Sequence, residues 1–379
     1  MNAKIFLQTI EQNYPGIWEQ MEAEITAVSY FNLFKQLSDN YSPTLTVSRV
    51  QGPLVESLLA GSNVKVDRNL RKSGSIGLTI GQEPAPIWLS GHADICSYLT
   101  GPWDGTGYPL TPFCMPRARP GGRPAVALGT PENGGALARL AEGEMVTTEA
   151  GDTVFATQET DLPPWTRVVY HLAATWDQES DKIHGYIDNQ ATCAALILAT
   201  RVLSQYNVNV LLLLNDEEEG PVDKGNQGFS RAMRRLLHRT PHNQLPDMVI
   251  VSDGHMPPGI DPDDDSSFVG GQGALLGGLS SGGRGAVVPP QLIQFARELA
   301  PELAVQGIKL SENPGYISRS DDISAMQYTQ NVMLIGFAGT SSHFDLTPTM
   351  HCHDLVHLTK TFVIYALLAQ DAAWRAKYL

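Results

Sequence analysis

The chain has 379 residues, enough for one large domain or two of ordinary size. Apolar residues make up 42% and charged residues 17%, which fits a globular protein with a sizeable core and excludes an intrinsically disordered one. The formal net charge is −14, and this argues against nucleic acid or an anionic membrane as the main partner, because both attract clustered positive charge.

The cysteines and the N-terminal residues indicate the compartment. Four widely spaced cysteines without a CxxC pair predict reduced thiols and an intracellular protein. The opening MNAKIFLQTIEQNYPG lacks a basic region followed by a long apolar core, so we expect no signal peptide. No apolar run approaches the ~20 residues that cross a bilayer. We therefore expect a soluble, cytoplasmic protein.

The first half of the chain predicts helices, then strands, then a change in composition. Apolar residues at helical spacing fill the first forty positions, and Pro15-Gly16 divides them into two helices. SNVKVD, SGSIGLTIG and APIWLSGHAD then predict strands. From about Gly105 to Ala174 the chain is rich in Pro and Gly, with further short strands. This predicts a small β-rich insert domain, 105–174, within a larger domain formed by 1–104 and 175–379.

From residue 189 onwards, helical and strand patterns alternate strictly. The helical runs include NQATCAALILATRVLSQY and HDLVHLTKTFVIYALLAQ, and the strand runs include NVNVLLLL, DMVIVSD and NVMLIGFAG. Such alternation predicts an α/β fold in which a mainly parallel mixed sheet is flanked by helices. Ligands of such folds bind at the carboxyl ends of the strands.

Acidic and imidazole side chains follow the predicted strands on five segments of the chain. These residues are His92 and Asp94, Asp188, Glu217 and Glu218, Asp253, and His343. Two carboxylates ~6 Å apart repel by about 3 kcal/mol at an effective dielectric constant of 20, so several of them at one edge require protonation or a cation. Histidines mixed with carboxylates suit zinc, cobalt or manganese, and the excess of carboxylates suggests two bridged ions.

Each motif has a simpler interpretation when it stands alone. GHAD is a common chance pattern, DEEEG is typical of a solvated turn, and Asp188 before a helix is by default an N-cap. Asp253 in SDGH suits a turn. The order of all five at strand ends is what favours metal.

That order resembles the co-catalytic zinc aminopeptidases of the M28/M42/M20 clan, and most of all the M42 group of glutamyl and tetrahedral aminopeptidases. YIDNQATCAALILA resembles the bridging-aspartate helix of that group, LLLLNDEEEGP its strand ending in two glutamates, and LPDMVIVSDGHMPPG its next ligand segment. GYISRSDDISAMQ resembles a further conserved segment. The long interval between His92 and Asp188 matches the place where that group inserts a small β domain, so the larger domain would be catalytic.

The resemblance implies two divalent metal ions per chain, zinc first, with cobalt or manganese as alternatives. His92 and Asp253 would hold one ion, Glu218 and His343 the other, and Asp188 would bridge them.

The same resemblance implies the remaining roles. Glu217 would be the general base that takes a proton from a metal-activated water and returns it to the leaving amine. Asp94 would orient His92. His255 and Asp321 are candidate substrate contacts.

Three departures from the pattern leave alternatives open. Asn189 stands where the family often has a second aspartate. The run DEEEG also permits Glu218 as base with Glu219 as ligand, although the spacing to Gly220 favours Glu217 and Glu218. His351 and His353 are rivals of His343 for the last ligand position.

The sequence therefore predicts a metal-dependent aminopeptidase that removes N-terminal residues from short peptides and forms a homo-oligomer. One alternative is a non-peptide N-acyl amidohydrolase, or deacylase, acting on small amides. Another is a catalytically silent scaffold relative, against which the retention of both Glu217 and Glu218 argues.

Overall fold

The computed structural model describes residues 2–115, 119–130, 137–220, 229–261, 268–340 and 348–379. Its helices, in chain order, are α1 Ala3–Asn13, α2 Ile17–Glu24, α3 Ala27–Ser38, α4 Val47–Leu58, α5 Ile187–Leu203, α6 Arg231–Arg239, α7 Pro290–Val305, α8 Asp322–Ala325, α9 Cys352–Leu368 and α10 Ala372–Tyr378.

The strands belong either to one large sheet or to one small barrel. The barrel strands are β4 Tyr98–Thr100, β5 Tyr108–Pro112, β6 Gly121–Gly129, β7 Ala138–Thr147, β8 Thr153–Thr157 and β9 Arg167–Tyr170. The sheet strands are β1 Lys65–Asp67, β2 Ile76–Ile80, β3 Ile87–His92, β10 Thr175–Asp177, β11 Lys182–His184, β12 Val210–Asn215, β13 Met248–Val251, β14 Gly254–Met256, β15 Ala274–Gly277, β16 Leu310–Asn313, β17 Tyr316–Ile317, β18 Val332–Thr340 and β19 Thr349–His351.

The large sheet is mixed. Its main order is β1-β2-β12-β3-β13-β18-β19-β11-β10, and the four neighbours β12, β3, β13 and β18 are parallel. The strands at both margins pair antiparallel. The structure thus confirms an α/β fold with a large mixed sheet and helices. Parallel pairing predominates, as predicted, at the centre of the sheet, because strands joined by crossover helices pair in parallel. At the margins the strands pair antiparallel, and there the prediction does not hold.

Burial explains the shape of the central elements. All six residues of β12 are buried, and α5 and α9 are buried on nearly every face. A helix that is apolar all round belongs inside a protein. Accordingly, α5 and α9 pack against each other, α5 lies against β3, and α9 lies against β15 and β18. These helices fix the parallel strands whose carboxyl ends carry the predicted site.

The β-rich segment forms a closed barrel with its own apolar core. Its strands are joined in the order β4-β5-β8-β7-β6-β9, and Tyr108, Phe155 and Val168 are among its buried residues. The barrel includes Tyr98–Thr100, upstream of the predicted start of the insert at Gly105. The limits 105–174 as a separate domain stay a prediction.

The first forty residues form three helices. The break at Pro15-Gly16 is present between α1 and α2, and Thr26 caps the third helix, α3. Among the described residues, no helix combines the length and the apolarity that a bilayer crossing requires.

The acid stability of this fold is expected to depend on His357 in α9. Burial first, and then the positive charge of Lys360, lowers the pKa of His357 to about 4, and its Nδ1 accepts the Lys309 N–H at 3.3 Å. In the unfolded chain the pKa is about 6.5, so the unfolded state binds more protons between pH 4 and 6.5. Stability therefore falls as the pH decreases through that window.

We predict that His357→Asn loses less stability than the parent protein between pH 7 and pH 5. The expected difference is about 1 kcal/mol, roughly half the value for a fully buried group, because part of the ring is exposed. Urea unfolding followed by circular dichroism at both pH values measures it, with the exposed His238→Asn as control. Equal losses in His357→Asn and the parent would contradict the prediction.

Candidate metal centre

His92 lies at the centre of a group of carboxylates. It ends β3 and is fully buried. Its Nε2 lies 3.0 Å from Asp188 Oδ1, 3.5 Å from Asp253 Oδ2 and 3.8 Å from Glu218 Oε2. None of these contacts has hydrogen-bond geometry, so this buried nitrogen has no hydrogen-bond partner among the described residues. The structure therefore brings together four residues that the sequence assigned to metal.

The sheet explains why these residues meet. The strands β12, β3 and β13 are parallel neighbours, and Asn215 at the end of β12 is in register with His92. The side chains that follow all three strands therefore lie at one edge. Asp188 reaches the same edge from the start of α5, where its φ of −92° and ψ of 103° depart from helical values.

Asp94 organises the groups around His92. Its carboxylate is fully buried and lies 3.5 Å from His92 Nδ1. It also accepts hydrogen bonds from the Thr44 hydroxyl at 2.7 Å and from the backbone N–H groups of Glu218 at 3.2 Å and Glu219 at 3.1 Å. Asp94 thus lies against His92 and holds the backbone of the acidic segment, and its predicted role in orienting His92 stays a prediction.

Glu219 belongs to the group around His92. One atom each of His92, Asp188 and Glu219 lie within 4.8 Å of one another, a spacing compatible with a shared metal ion. Glu219 Oε2 accepts a hydrogen bond from the Cys96 thiol at 3.0 Å. Its other oxygen, Oε1, is buried without a partner among the described residues. The resemblance implies Glu218 as the ligand, with Glu219 as an alternative.

The residue after the glutamates must be glycine. A Cβ atom on Gly220 would lie 2.3 Å from the Phe113 carbonyl oxygen, which follows β5 of the barrel. Contact at that distance is excluded, so Gly220 allows the barrel to approach the acidic segment. All four cysteines are free thiols, and Cys96 and Cys114 are buried in the barrel core beside this junction.

Glu217 contacts an arginine on a neighbouring helix through its side chain. Its φ is +61°, unusual for a residue with a side chain, and its carboxylate forms an ion pair with Arg235 of α6. Arg235 also donates to the Ser73 carbonyl at 2.9 and 2.6 Å. Asp216 accepts backbone N–H groups of Leu45 and Val47 at the start of α4. The assignment of Glu217 as general base stays a prediction.

The electrostatics of the group favour a cation. Burial raises the pKa values of Glu218 and Glu219 well above the ordinary glutamate value. Burial opposes a charge on His92, yet the adjacent carboxylates of Asp188 and Asp253 raise its pKa well above 6.5. Burial likewise raises the pKa of the Cys96 thiol, which keeps its proton and can donate to Glu219. Excess buried negative charge is what a divalent ion would neutralise.

The two candidate substrate contacts have different surroundings. His255 is buried on β14, its Nδ1 has no partner among the described residues, and burial lowers its pKa to about 4. Asp321 is fully buried, and its carboxylate accepts hydrogen bonds from Ser90, Asn215 and Ser230. These contacts favour a structural role for Asp321, and both substrate assignments stay predictions.

The last metal ligand is the least defined part of the centre. His343 lies outside the described residues. Its rivals contact another carboxylate: His353 Nδ1 lies 2.7 Å and His351 Nε2 lies 3.2 Å from Asp181 Oδ2, in the turn between β10 and β11. Both histidines therefore contact Asp181, at a margin of the large sheet.

The donors fit a metal ion. His92 Nε2 and Glu219 Oε1 are both buried without a hydrogen-bond partner among the described residues. The two residues form one compact group with Asp188. Unpartnered buried polar atoms are costly, and a cation would satisfy both of them at once. The mixture of imidazole and carboxylate suits zinc, cobalt or manganese.

Comparison with known proteins supports the fold. The structure is similar to a TET aminopeptidase from a marine-sediment archaeon of the Thaumarchaeota, with a TM-score of 0.73 and 15% identity over 93% of this chain and 99% of that one. An aminopeptidase from the archaeon Desulfurococcus kamchatkensis gives 0.72 and 14%, over 93% and 98%. The Pyrococcus horikoshii TET1 peptidase gives 0.67 and 15%, over 90% and 99%.

These neighbours are the kind of protein that the sequence motifs resemble. Sequence comparison adds nothing further: no model of a protein family matches the chain, and no curated protein matches it. At this level of identity the similarity establishes a shared fold.

We predict that zinc binds the intact centre and not a His92→Asn variant. Zinc at 100 times its Kd adds about 2.7 kcal/mol to the free energy of unfolding. For a chain of this length, that increase raises Tm by about 3 °C. His353→Gln is the matched control, and it should keep the zinc-dependent shift because His353 contacts Asp181. Differential scanning calorimetry with and without zinc measures both. A shift that survives in His92→Asn and disappears in His353→Gln would contradict this location.

Proposed function

We propose that the protein is a metal-dependent aminopeptidase that removes N-terminal residues from short peptides at a dinuclear centre. The observation that carries the proposal is the buried His92 Nε2, which lies among the carboxylates of Asp188, Asp253 and Glu218 without a hydrogen bond to any described residue. The fold shared with aminopeptidases supports it.

Each residue near the centre has a proposed task. His92, Asp188 and Asp253 hold metal together with a glutamate of the run Glu217–Glu219, and His343 is the proposed last ligand. When bound, the metals supply Lewis acidity and lower the pKa of water. Zinc is the proposed ion, with cobalt or manganese as alternatives.

The protein's own carboxylates would handle the proton. A glutamate beside the centre accepts it as water attacks the scissile carbonyl and returns it to the leaving amine. The resemblance implies Glu217 as this base, although its carboxylate is engaged by Arg235. Asp94 keeps His92 and the acidic segment in place through the contacts described above. Carboxylates left over from metal binding would attract the protonated α-amine of a peptide.

We also propose a homo-oligomer. The Pyrococcus horikoshii TET1 peptidase assembles into a tetrahedron or a large octahedral shell, and this chain shares its fold.

A pair of matched substrates tests the proposed activity. We expect zinc-loaded protein to release the amine from at least one aminoacyl anilide, to lose this activity with chelator, and to leave the N-acetylated form of the same anilide intact. An aminopeptidase requires the free α-amine, whereas an N-acyl amidohydrolase accepts the acylated compound.

The other outcomes identify the alternatives. Chelator-sensitive hydrolysis of small N-acyl compounds alone would establish the amidohydrolase or deacylase. Bound metal without turnover on either class would favour a catalytically silent scaffold.

A further inference from the structure

Three consecutive glutamates, Glu217, Glu218 and Glu219, have three different environments. The side chain of Glu217 is 6% exposed, and its Oε2 is engaged by the guanidinium of Arg235. Because Arg235 is itself anchored to the Ser73 carbonyl, the ion pair ties Glu217 to the side of the acidic segment next to α6. A carboxylate held in this way is poorly placed to present an oxygen to water beside His92.

Glu219 has the contacts expected of a metal ligand. Its backbone N–H is fixed by Asp94, its Oε2 accepts the Cys96 thiol, and its Oε1 is buried without a hydrogen-bond partner among the described residues. The residue belongs to one compact group with His92 and Asp188. One oxygen is thus oriented by a neighbour, and the other is available to a cation. This is how outer groups usually orient a ligating carboxylate.

Glu218 lies between these two. Its Oε2 is 3.8 Å from His92 Nε2, its backbone N–H is held by Asp94, and its side chain is 9% exposed. No hydrogen bond to its carboxylate is present among the described residues. The Glu218 carboxylate is therefore close to His92 and is not held by any other described side chain.

We propose that the acidic run acts one residue later than its spacing to Gly220 indicates, with Glu219 as the metal ligand, Glu218 as the proton-carrying carboxylate, and Glu217 retained by Arg235. Cys96 is a positioning residue that orients Glu219. The assignment of the proton carrier rests on the proposed hydrolase, whereas the assignment of the ligand rests on metal binding alone.

Three isosteric variants, Glu217→Gln, Glu218→Gln and Glu219→Gln, test the register. Zinc affinity is measured by equilibrium dialysis with elemental analysis, and turnover with the best aminoacyl anilide. Glu219→Gln should lower zinc affinity at least about 10-fold. Glu218→Gln should keep zinc and lower turnover by about 10²–10⁴-fold. Glu217→Gln should keep zinc and remain within about 10-fold of the parent turnover.

The opposite pattern would overturn the proposal: zinc lost in Glu218→Gln, and turnover lost in zinc-loaded Glu217→Gln. If the latter variant does not fold because its ion pair is broken, the zinc affinities of the other two decide. A parent protein that binds zinc but hydrolyses nothing would refute the proposed function. The zinc affinities of Glu218→Gln and Glu219→Gln would then still test which glutamate is the ligand. A parent protein that binds no zinc would refute both.

Cys96 has its own matched set. Cys96→Ser keeps a donor to Glu219 Oε2 and should retain zinc affinity, whereas Cys96→Ala should lower it about 10-fold. Cys114→Ser, at the buried neighbouring cysteine, is the control. Equal zinc affinity in Cys96→Ala and Cys96→Ser, with both folded, would remove Cys96 from the proposal.

Discussion

The buried carboxylate of Asp94 connects the parts of the molecule that form the centre. It receives the Thr44 hydroxyl from the segment before α4, lies against His92 at the end of β3, and accepts two N–H groups of the acidic segment after β12. Because one buried group holds three segments, the backbone of Glu218 and Glu219 is kept beside His92. A buried cluster held in this way favours a cation, and the proposed chemistry follows from that constraint.

Much of the fold and part of the site could be predicted from the sequence, because the decisive signals are local. The apolar run of β12 and the small, apolar residues of α5 identify buried elements by composition alone. Once neighbouring strands are parallel, the residues that follow them share an edge. The encounter of His92 with Asp188, Asp253 and Glu218 therefore follows from chain order and sheet geometry.

The rest depends on contacts between distant residues. Cys96 and Glu219 are 123 positions apart, and neither shows in isolation that a thiol would orient a carboxylate. The partner of Glu217, Arg235, lies on a helix whose basic residues resemble a solvated face. Helix α4 contains Pro53, a residue typical of a helix end, and the burial of Val47, Val50 and Val55 stabilises it. The barrel strand β4 precedes the change in composition that marked the insert.

The most direct test of the metal centre is a crystal structure of the zinc-soaked protein with anomalous diffraction at the zinc edge. The account predicts a peak about 2.0–2.2 Å from His92 Nε2 and from carboxylate oxygens of Asp188 and Glu219. A zinc-loaded crystal with no peak beside His92, or with its strongest peak between His351, His353 and Asp181, would contradict the central claim that the carboxylates at this edge of the sheet serve to hold metal.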